Sequence, residues 1–369
     1  MDRKGLLIIG LALAMLGSAC SPAYLWQAAA GQLEIMRARR PVDAVIADPS
    51  TDGELRRKLV LAEEALRFAR STLELPDNGS YTQFAELHRV FAVWNVFAAP
   101  EFSLEPRTWC FPISGCGAYH GYFHEKSARE YARQLSEAGE DVYVGGAAAY
   151  STLGYFDDPL LSTALALPDW EIAGLLFHEL AHQKLYIGGD TTFNESFAMA
   201  VEEEGKCRWL AARDDSAAFA DFRQENRRRQ ERRELLARLR TELAAVYAGN
   251  EPPDAKRQAK HELLRDYLAR MQGTSPNSGR DVVLNNATLA ALAAYDEYLP
   301  AFREAFAETG GSFAAFYARA DAIARLPEPK RREALEALLL SGSAAADPGC
   351  RAVRRGSAVT AASRLPAAP

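Results

Sequence analysis

Residues 174–183 constrain the fold of this chain more than any other stretch. They read Gly-Leu-Leu-Phe-His-Glu-Leu-Ala-His-Gln, an apolar run that contains two histidines four positions apart. Residues with this spacing lie on the same face of an α-helix, one turn apart. The apolar neighbours predict that the helix is buried, and buried imidazoles need polar partners. The stretch therefore predicts a buried helix that presents His178 and His182 side by side; the alternative is a surface helix with two unrelated histidines.

The same residues form a His-Glu-x-x-His pattern, in which Glu179 directly follows the first histidine. Two imidazoles on one helical face are able to bind one zinc ion, and the glutamate beside them is placed to reach a water molecule on that ion. Two other His-Glu pairs, at residues 124–125 and 261–262, lack a second histidine at this spacing. The sequence therefore predicts one zinc site, with His178 and His182 as ligands.

The segment after this helix offers a third ligand. Gly188-Gly189 predicts the end of the helix, and Asp190 or Thr191 is able to cap a second helix that carries Glu195 in its first turn. A helix–turn–helix hairpin would fold this carboxylate back towards the two histidines. The three side chains would then form a two-histidine, one-glutamate zinc site whose fourth position is open to water. The alternative for Glu195 is a solvated acid that stabilises the helix dipole.

Residues 193–198, Phe-Asn-Glu-Ser-Phe-Ala, resemble the Asn-Glu-x-Phe-Ala segment that supplies the third zinc ligand in gluzincin aminopeptidases. Only twelve residues separate His182 from Glu195, unlike the spacing in the large multidomain gluzincins. The chain is more similar to a bacterial family of predicted zinc aminopeptidases, often lipoproteins of this size. This resemblance covers most of residues 20–340 and includes the segments 94–103, 107–112, 149–154 and 284–287. It implies a zincin-like metallopeptidase fold, a zinc cofactor, a peptide substrate and aminopeptidase activity.

In such a site Glu179 is expected to act as general base, which accepts a proton from the zinc-activated water and passes it to the leaving amine. The developing oxyanion needs one donor besides zinc, and an aminopeptidase needs an acid for the ammonium group of its substrate. The sequence offers several residues for these two roles: Tyr295, Tyr150 and His120 for the oxyanion, and Glu101, Asp157 and Asp158 for the ammonium group.

Two other classes of protein are compatible with the same motif. A catalytically inactive or scaffolding lipoprotein would keep zinc for structure, although closed structural sites typically use four protein ligands. A zinc hydrolase of a non-peptide amide, such as a cell-wall component, would share the metal site. An open groove beside a sheet edge favours a peptide, whereas a closed polar pocket favours a small amide. Residues 147–153 are a candidate for that edge, with an ordinary surface loop as the alternative.

Composition limits the range of partners. With 369 residues the chain is long enough for one large core or two modest ones, and 48% hydrophobic with 25% charged residues is typical of a globular protein. The net charge of −6 gives no reason to expect a nucleic-acid partner, and nothing in the composition indicates an oligomeric state.

The N-terminus has the features of an export signal. Arg3 and Lys4 precede a short apolar run that ends in Gly-Ser-Ala-Cys, so residues 1–19 are predicted to be a signal peptide. Cys20 after small residues resembles the bacterial lipobox, in which this cysteine is lipidated. Ser21 would then suit sorting to the outer membrane. We therefore expect a periplasm-facing lipoprotein of the bacterial cell envelope, held to the membrane by its lipid; an ordinary secretory signal is the alternative.

Export would also permit disulfides. Cys110 and Cys116 are separated by a loop short enough to be closed by one, and this is the disulfide that we expect. A second metal site is the alternative, but no nearby pair of further ligands supports it.

The order of the elements predicts a predominantly helical α+β fold. Runs rich in β-branched and aromatic residues predict strands at 90–97, 119–124 and 141–144, a small sheet ahead of the His-Glu-x-x-His helix. The rest is read as one metallopeptidase domain over residues 20–340, with a helical hairpin inserted near 214–272. Residues 341–369 are rich in Ala, Ser, Gly and Pro, which is typical of a disordered tail.

Some polar residues have two interpretations. Glu202 lies on the helical face of the third ligand and is able to orient a zinc-bound histidine, but at least two of the glutamates at 202–204 are expected to face water. Asp169 is expected to cap the His-Glu-x-x-His helix. The asparagines 285–286 either bind the substrate backbone or form a turn with a helix cap.

Overall fold

A computed structural model of the protein describes residues 22–111, 115–149, 151–152, 156–274 and 283–341. Within these ranges the chain is predominantly helical and has three small sheets, which confirms the predicted α+β class. The signal peptide, Cys20, Tyr150 and the tail beyond residue 341 lie outside the described residues, so the statements about them stay predictions.

The helices described are α1 (Pro22–Ala38), α2 (Val42–Ala47), α3 (Gly53–Thr72), α4 (Glu125–Glu137), α5 (Ser162–Leu165), α6 (Asp169–Lys184), α7 (Thr191–Arg213), α8 (Ser216–Ala248), α9 (Pro253–Thr274), α10 (Asn286–Asp296), α11 (Leu299–Glu308), α12 (Phe313–Ala324) and α13 (Glu328–Ser341). The strands described are β1 (Arg39–Pro41), β2 (Gln83–Ala85), β3 (Val93–Pro100), β4 (Trp109–Phe111), β5 (Gly115–Gly117), β6 (His120–Tyr122), β7 (Glu140–Ala147) and β8 (Leu160–Leu161).

The predicted sheet ahead of α6 is present and has the antiparallel order β6–β3–β7. Side chains alternate along β3 as the period of a strand requires. Val96 and Ala98 face a cluster with α4, whereas Phe97 faces α10. Among the described strands, β7 lies at the edge of this sheet.

The two other sheets consist of strands of two or three residues. β2 pairs with β1 in antiparallel and with β8 in parallel orientation, and β4 pairs with β5. The sequence analysis did not predict any of the five strands in these sheets, because strands this short have no recognisable alternation. The boundaries of the predicted strands also move: β3 starts and ends three residues later than expected, and β6 covers only His120–Tyr122.

The main hydrophobic core lies between α3, α6, α7, α11 and α12. Helices α6 and α7 approach closely at Gly205 of α7, where an added Cβ would lie 2.7 Å from the ring of Phe177 on α6 and 2.9 Å from Leu73. Only glycine allows this approach. Eight residues earlier on α7, the ring of Phe197 stacks on that of Phe316 of α12, with the centroids 5.7 Å apart. The contact at Gly205 packs α7 against α6, and these two helices carry the predicted metal ligands.

Helices α8 and α9 pack on each other as a helical hairpin. Leu239 and Leu243 of α8 are buried against Leu264 and Tyr267 of α9. None of the described helices combines the length and the apolar composition needed to cross a membrane.

Candidate metal centre

Both histidines of the His-Glu-x-x-His pattern lie on α6, and both are buried. Their rings are nearly perpendicular, with centroids 4.7 Å apart. Leu176, Phe177 and Leu180 bury the rest of the helix in the main core. The local expectation from the sequence is therefore confirmed: the helix is buried, and its two imidazoles share one face.

Three side-chain atoms converge at this face. Nε2 of His178 lies 3.1 Å from Nε2 of His182 and 3.2 Å from Oε2 of Glu195. Nε2 of His182 lies 3.6 Å from the same oxygen. A tetrahedral zinc ion with ligand bonds of about 2.0–2.1 Å holds its ligand atoms roughly 3.4 Å apart. The three observed separations lie around this value, so the buried group is able to hold a metal ion of this kind.

The hydrogen bonding of His178 also favours a cation at the centre. Nδ1 of His178 lies 3.1 Å from a carboxylate oxygen of Glu202, which only accepts, so Nδ1 carries the proton. In the neutral imidazole, Nε2 then directs a lone pair at an oxygen of Glu195. Burial alone would lower the pKa of His178, but the hydrogen bonds to Glu195 and Glu202 outweigh it and hold the pKa well above its ordinary value. The surroundings therefore stabilise positive charge at this nitrogen.

Glu195 is an ionised carboxylate. Burial alone would raise its pKa, but the charge of His182 and the hydrogen bonds of both histidines outweigh it and lower the pKa to about 2. An ionised, buried carboxylate next to two imidazoles is the donor set of a two-histidine, one-glutamate zinc site.

The turn between α6 and α7 places Glu195 by local interactions. Gly189 has a φ of +86°, in the left-handed region that favours glycine. Asp190 caps α7, since its side chain accepts a hydrogen bond from the backbone N–H of Phe193 at 3.0 Å. Asn194 accepts from the N–H of Ile187 and donates to its C=O, both at 2.8 Å. This amide clamps the turn onto the helix one residue before the ligand.

Glu179, the predicted general base, is buried on α6 between the two histidines in sequence. Burial raises the pKa of its carboxyl group, while the charges of His178 and His182 oppose the rise. The carboxyl also interacts electrostatically with Asp158. A buried carboxyl with a raised pKa is suited to accepting and returning a proton.

The expectation that at least two glutamates at 202–204 face water is wrong, because all three are buried. Each has a cationic partner: Glu202 has Lys206 at 2.6 Å, Glu203 has Arg303 on α11 at 2.6 Å, and Glu204 has Arg208 at 2.8 Å. Helix α7 is enclosed by other helices, and these cations let its acidic residues remain inside. Glu202 is thus the one that touches a predicted ligand.

The residues predicted for the oxyanion are not brought together with the ligands by any described contact. His120 packs in an aromatic cluster, with its ring centroid 3.9 Å from that of Tyr24 and 5.0 Å from that of Tyr131. Tyr150 and the side chain of Tyr295 lie outside the described part of the chain.

Two tyrosines that the sequence analysis did not single out lie closer to the predicted ligands. Burial, followed by the charge of Glu195, raises the pKa of both Tyr119 and Tyr186. The ring of Tyr186 is 6.3 Å from that of His182. The sequence held no helical signal for Tyr186, because α6 ends at Lys184 and Leu185 is already extended.

Of the acids predicted for the substrate ammonium group, Glu101 is engaged elsewhere. It pairs with Arg257 of α9 at 2.6 Å and lines a cavity of about 350 Å³ beside that helix. Asp158 is the acid that interacts with Glu179. It accepts hydrogen bonds from the N–H of Thr152 and from Ser151, while burial, with a smaller effect of Asp157, raises the pKa of its carboxyl group.

Two of the expected caps have different outcomes. Asn285 caps α10 by accepting from the N–H of Thr288 at 2.9 Å, and Asn286 donates to two backbone carbonyls, which confirms the turn-and-cap interpretation. The cap expected at Asp169 is wrong, because Pro168 holds the N-cap position and Asp169 is already the first helical residue. Its carboxylate pairs instead with Arg57.

Cys110 on β4 and Cys116 on β5 are joined by a disulfide that closes this hairpin. Their sulfurs are bonded to each other and do not form a second metal site.

The model of the Aminopep family, described as "Putative aminopeptidase", matches residues 23–335. This range contains every residue of the candidate metal centre. No curated protein and no solved structure matches the chain.

Proposed function

This chain belongs to the Aminopep family, and from that premise we propose that it is a zinc-dependent aminopeptidase. The observation that carries the proposal is the convergence of His178, His182 and Glu195 on one point, with Glu179 buried on α6, the helix of the two histidines. We assign the three converging residues as zinc ligands and Glu179 as the general base.

Bound zinc would supply the Lewis acidity that makes water a nucleophile near neutral pH and polarises a carbonyl group. The residues of the chain transfer the proton and orient the ligands. Glu179 takes the proton of the attacking water and returns it to the leaving amine, a role that its raised pKa favours. Glu202 accepts the hydrogen bond of Nδ1 of His178 and so leaves the lone pair of Nε2 available to bind zinc.

The number of ligands supports a catalytic role over a purely structural one. Within the described ranges, the group able to hold a metal has three members, whereas closed structural zinc sites typically have four. A three-ligand set leaves one position for water or substrate.

A peptide substrate is supported by the sheet edge as well as by the family. Among the described strands, β7 is one of the two edge strands of its sheet, and the chain continues from it to Ser151 and Thr152, which both donate hydrogen bonds to Asp158. Since Asp158 interacts with Glu179, this segment approaches the centre. An extended peptide would pair with such an edge through its backbone. We further propose that Asp158 receives the substrate's ammonium group.

The test of this function compares one peptide in two forms, with a free and with an acetylated N-terminus. We expect the zinc-loaded protein to release the first residue only from the peptide with a free N-terminus. A chelator should abolish this release, and added zinc should restore it. Equal cleavage of both forms would indicate an endopeptidase. A zinc-loaded protein that cleaves neither form, but hydrolyses a cell-wall amide, would replace the proposal with the non-peptide alternative.

We also propose that the protein is a periplasm-facing lipoprotein anchored through Cys20. The exposed apolar side chains at the start of α1 support this: Leu25 and Trp26, five and six residues after the cysteine, are 47% and 77% exposed. Such residues suit the membrane interface. Incorporation of labelled palmitate should occur in the wild type and not in Cys20→Ala. Equal labelling, or none in either, would contradict the anchor.

A further inference from the structure

Lys206 is completely buried in the core, with 0% of its side chain exposed. Its ammonium group lies 2.6 Å from Oε1 of Glu202, which is four residues earlier on α7, and 3.8 Å from Glu171 on α6. It also lies 5.2 Å from the ring centroid of Trp170. A lysine is almost never buried in this way unless a partner requires its charge.

Both carboxylate oxygens of Glu202, the partner of Lys206, accept hydrogen bonds. Oε1 of Glu202 accepts from Lys206, and Oε2 of the same carboxylate accepts from Nδ1 of His178 at 3.1 Å. A carboxylate held at both oxygens cannot rotate, so its orientation towards the imidazole is fixed. The connection therefore runs from Lys206 through Glu202 to a zinc ligand.

The sequence of α6 makes room for this lysine. An added Cβ at Gly174 would lie 2.5 Å from Cδ of Lys206 and 3.0 Å from its Cγ. Glycine inside a helix is unfavourable, but here it opens the channel through which the aliphatic chain passes. Gly174 lies one turn before His178, so the channel and the ligand belong to the same part of the helix.

We infer that Lys206 is a positioning residue of the metal centre: by holding Glu202 through Oε1, it fixes the carboxylate that orients His178 for zinc. The inference rests on the proposed zinc site. Removing Lys206 leaves Glu202 free to turn away from Nδ1, which weakens the hold on the imidazole. No described contact joins the ammonium group to a ligand directly, and its described connection to His178 runs through Glu202.

The experiment measures the zinc dissociation constant by chelator competition for Lys206→Met, which keeps the length of the side chain and removes the charge. Loss of an outer-shell partner typically weakens metal binding about 10- to 100-fold, and we expect a change of this size. Gly174→Ala is the second variant. This variant displaces the aliphatic chain of Lys206 without removing any charge. Because alanine favours a helix more than glycine does, weaker zinc binding in Gly174→Ala cannot result from lost helicity.

Lys260→Met is the matched control. Lys260 is also buried, pairs with Asp141 at 2.7 Å and donates to the C=O of Glu101 at 2.8 Å, and none of these described contacts is with the centre. It should lose stability and still bind zinc within about 2-fold of the wild type, because no outer-shell contact is removed.

A double-mutant cycle separates positioning from general destabilisation. In a Glu202→Gln background, Lys206→Met should add less than about 3-fold to the dissociation constant, because its route to the ligand is already broken. A full additional effect there, or a Lys206→Met protein that binds zinc like the wild type, would overturn the inference and leave the zinc site standing. A wild type without zinc affinity would overturn both.

Discussion

Asn194 precedes the third ligand and offers the sharpest test of how the turn is held. The side chain is 1% exposed, and its amide makes two hydrogen bonds of 2.8 Å to the backbone of Ile187. Asn194→Ala leaves the N–H of Ile187 without its partner, whereas the C=O of Ile187 still accepts from the N–H of Asp190 at 3.2 Å. An unsatisfied group of this kind costs about 1–3 kcal/mol. The free energy of unfolding should fall by about that amount, 1–3 kcal/mol.

The assay is urea unfolding of the metal-free protein, followed by chelator competition for zinc. Since Asn194 clamps the turn that delivers Glu195, the zinc dissociation constant should also rise, by about 10-fold. Asn78→Ala is the control, because Asn78 makes an exposed hydrogen bond to Gln183 and should change the unfolding free energy by less than about 1 kcal/mol. A loss below about 0.5 kcal/mol in Asn194→Ala would refute the clamp.

Three further outcomes are expected. Arg303→Met should lower the unfolding free energy at pH 7 by about 3–5 kcal/mol in urea titrations, because it leaves Glu203 buried without its main partner; a loss near zero would contradict the pairing. Burial would raise the pKa of Glu203, but Arg303 and Arg233 outweigh it and lower the pKa below 4.5. The contribution of Glu203 to stability is therefore present above pH 4.5 and is lost as the pH falls through the lowered pKa. The free energy of unfolding should then fall less steeply with decreasing pH in Glu203→Gln than in the wild type, and identical slopes would contradict this. Gly189→Ala should cost about 1–2 kcal/mol because of the positive φ, and an unchanged melting temperature would exclude the left-handed turn.

The sequence predicted those parts of the site that local spacing determines. The interval between His178 and His182 fixes a shared helical face, and the glycine turn with its Asp190 cap returns the chain towards that face. These features depend on few neighbouring residues. For the same reason the buried helix and the sheet strand β3 were both predicted, although the ends of the strand moved by three residues.

The sequence did not predict features that depend on distant partners. The burial of Glu203 requires Arg303, a hundred residues later, and no local pattern indicates this pairing. The place of Lys206 depends on Gly174 of the preceding helix. The strand β8 forms because β2, 76 residues earlier in the register, lies beside it. Each of these contacts becomes apparent only once the helices and strands are packed.

The central claim is that zinc is held by His178, His182 and Glu195 and that Glu179 moves the proton. The most direct measurement compares zinc content and hydrolysis of a free-amino peptide in the wild type, Glu179→Gln and Glu195→Gln. We expect about one zinc per chain in the first two proteins, reduced zinc in the third, and hydrolysis only in the wild type. Hydrolysis that survives in Glu179→Gln would contradict the role of the base, and full zinc occupancy in Glu195→Gln would contradict the ligand set.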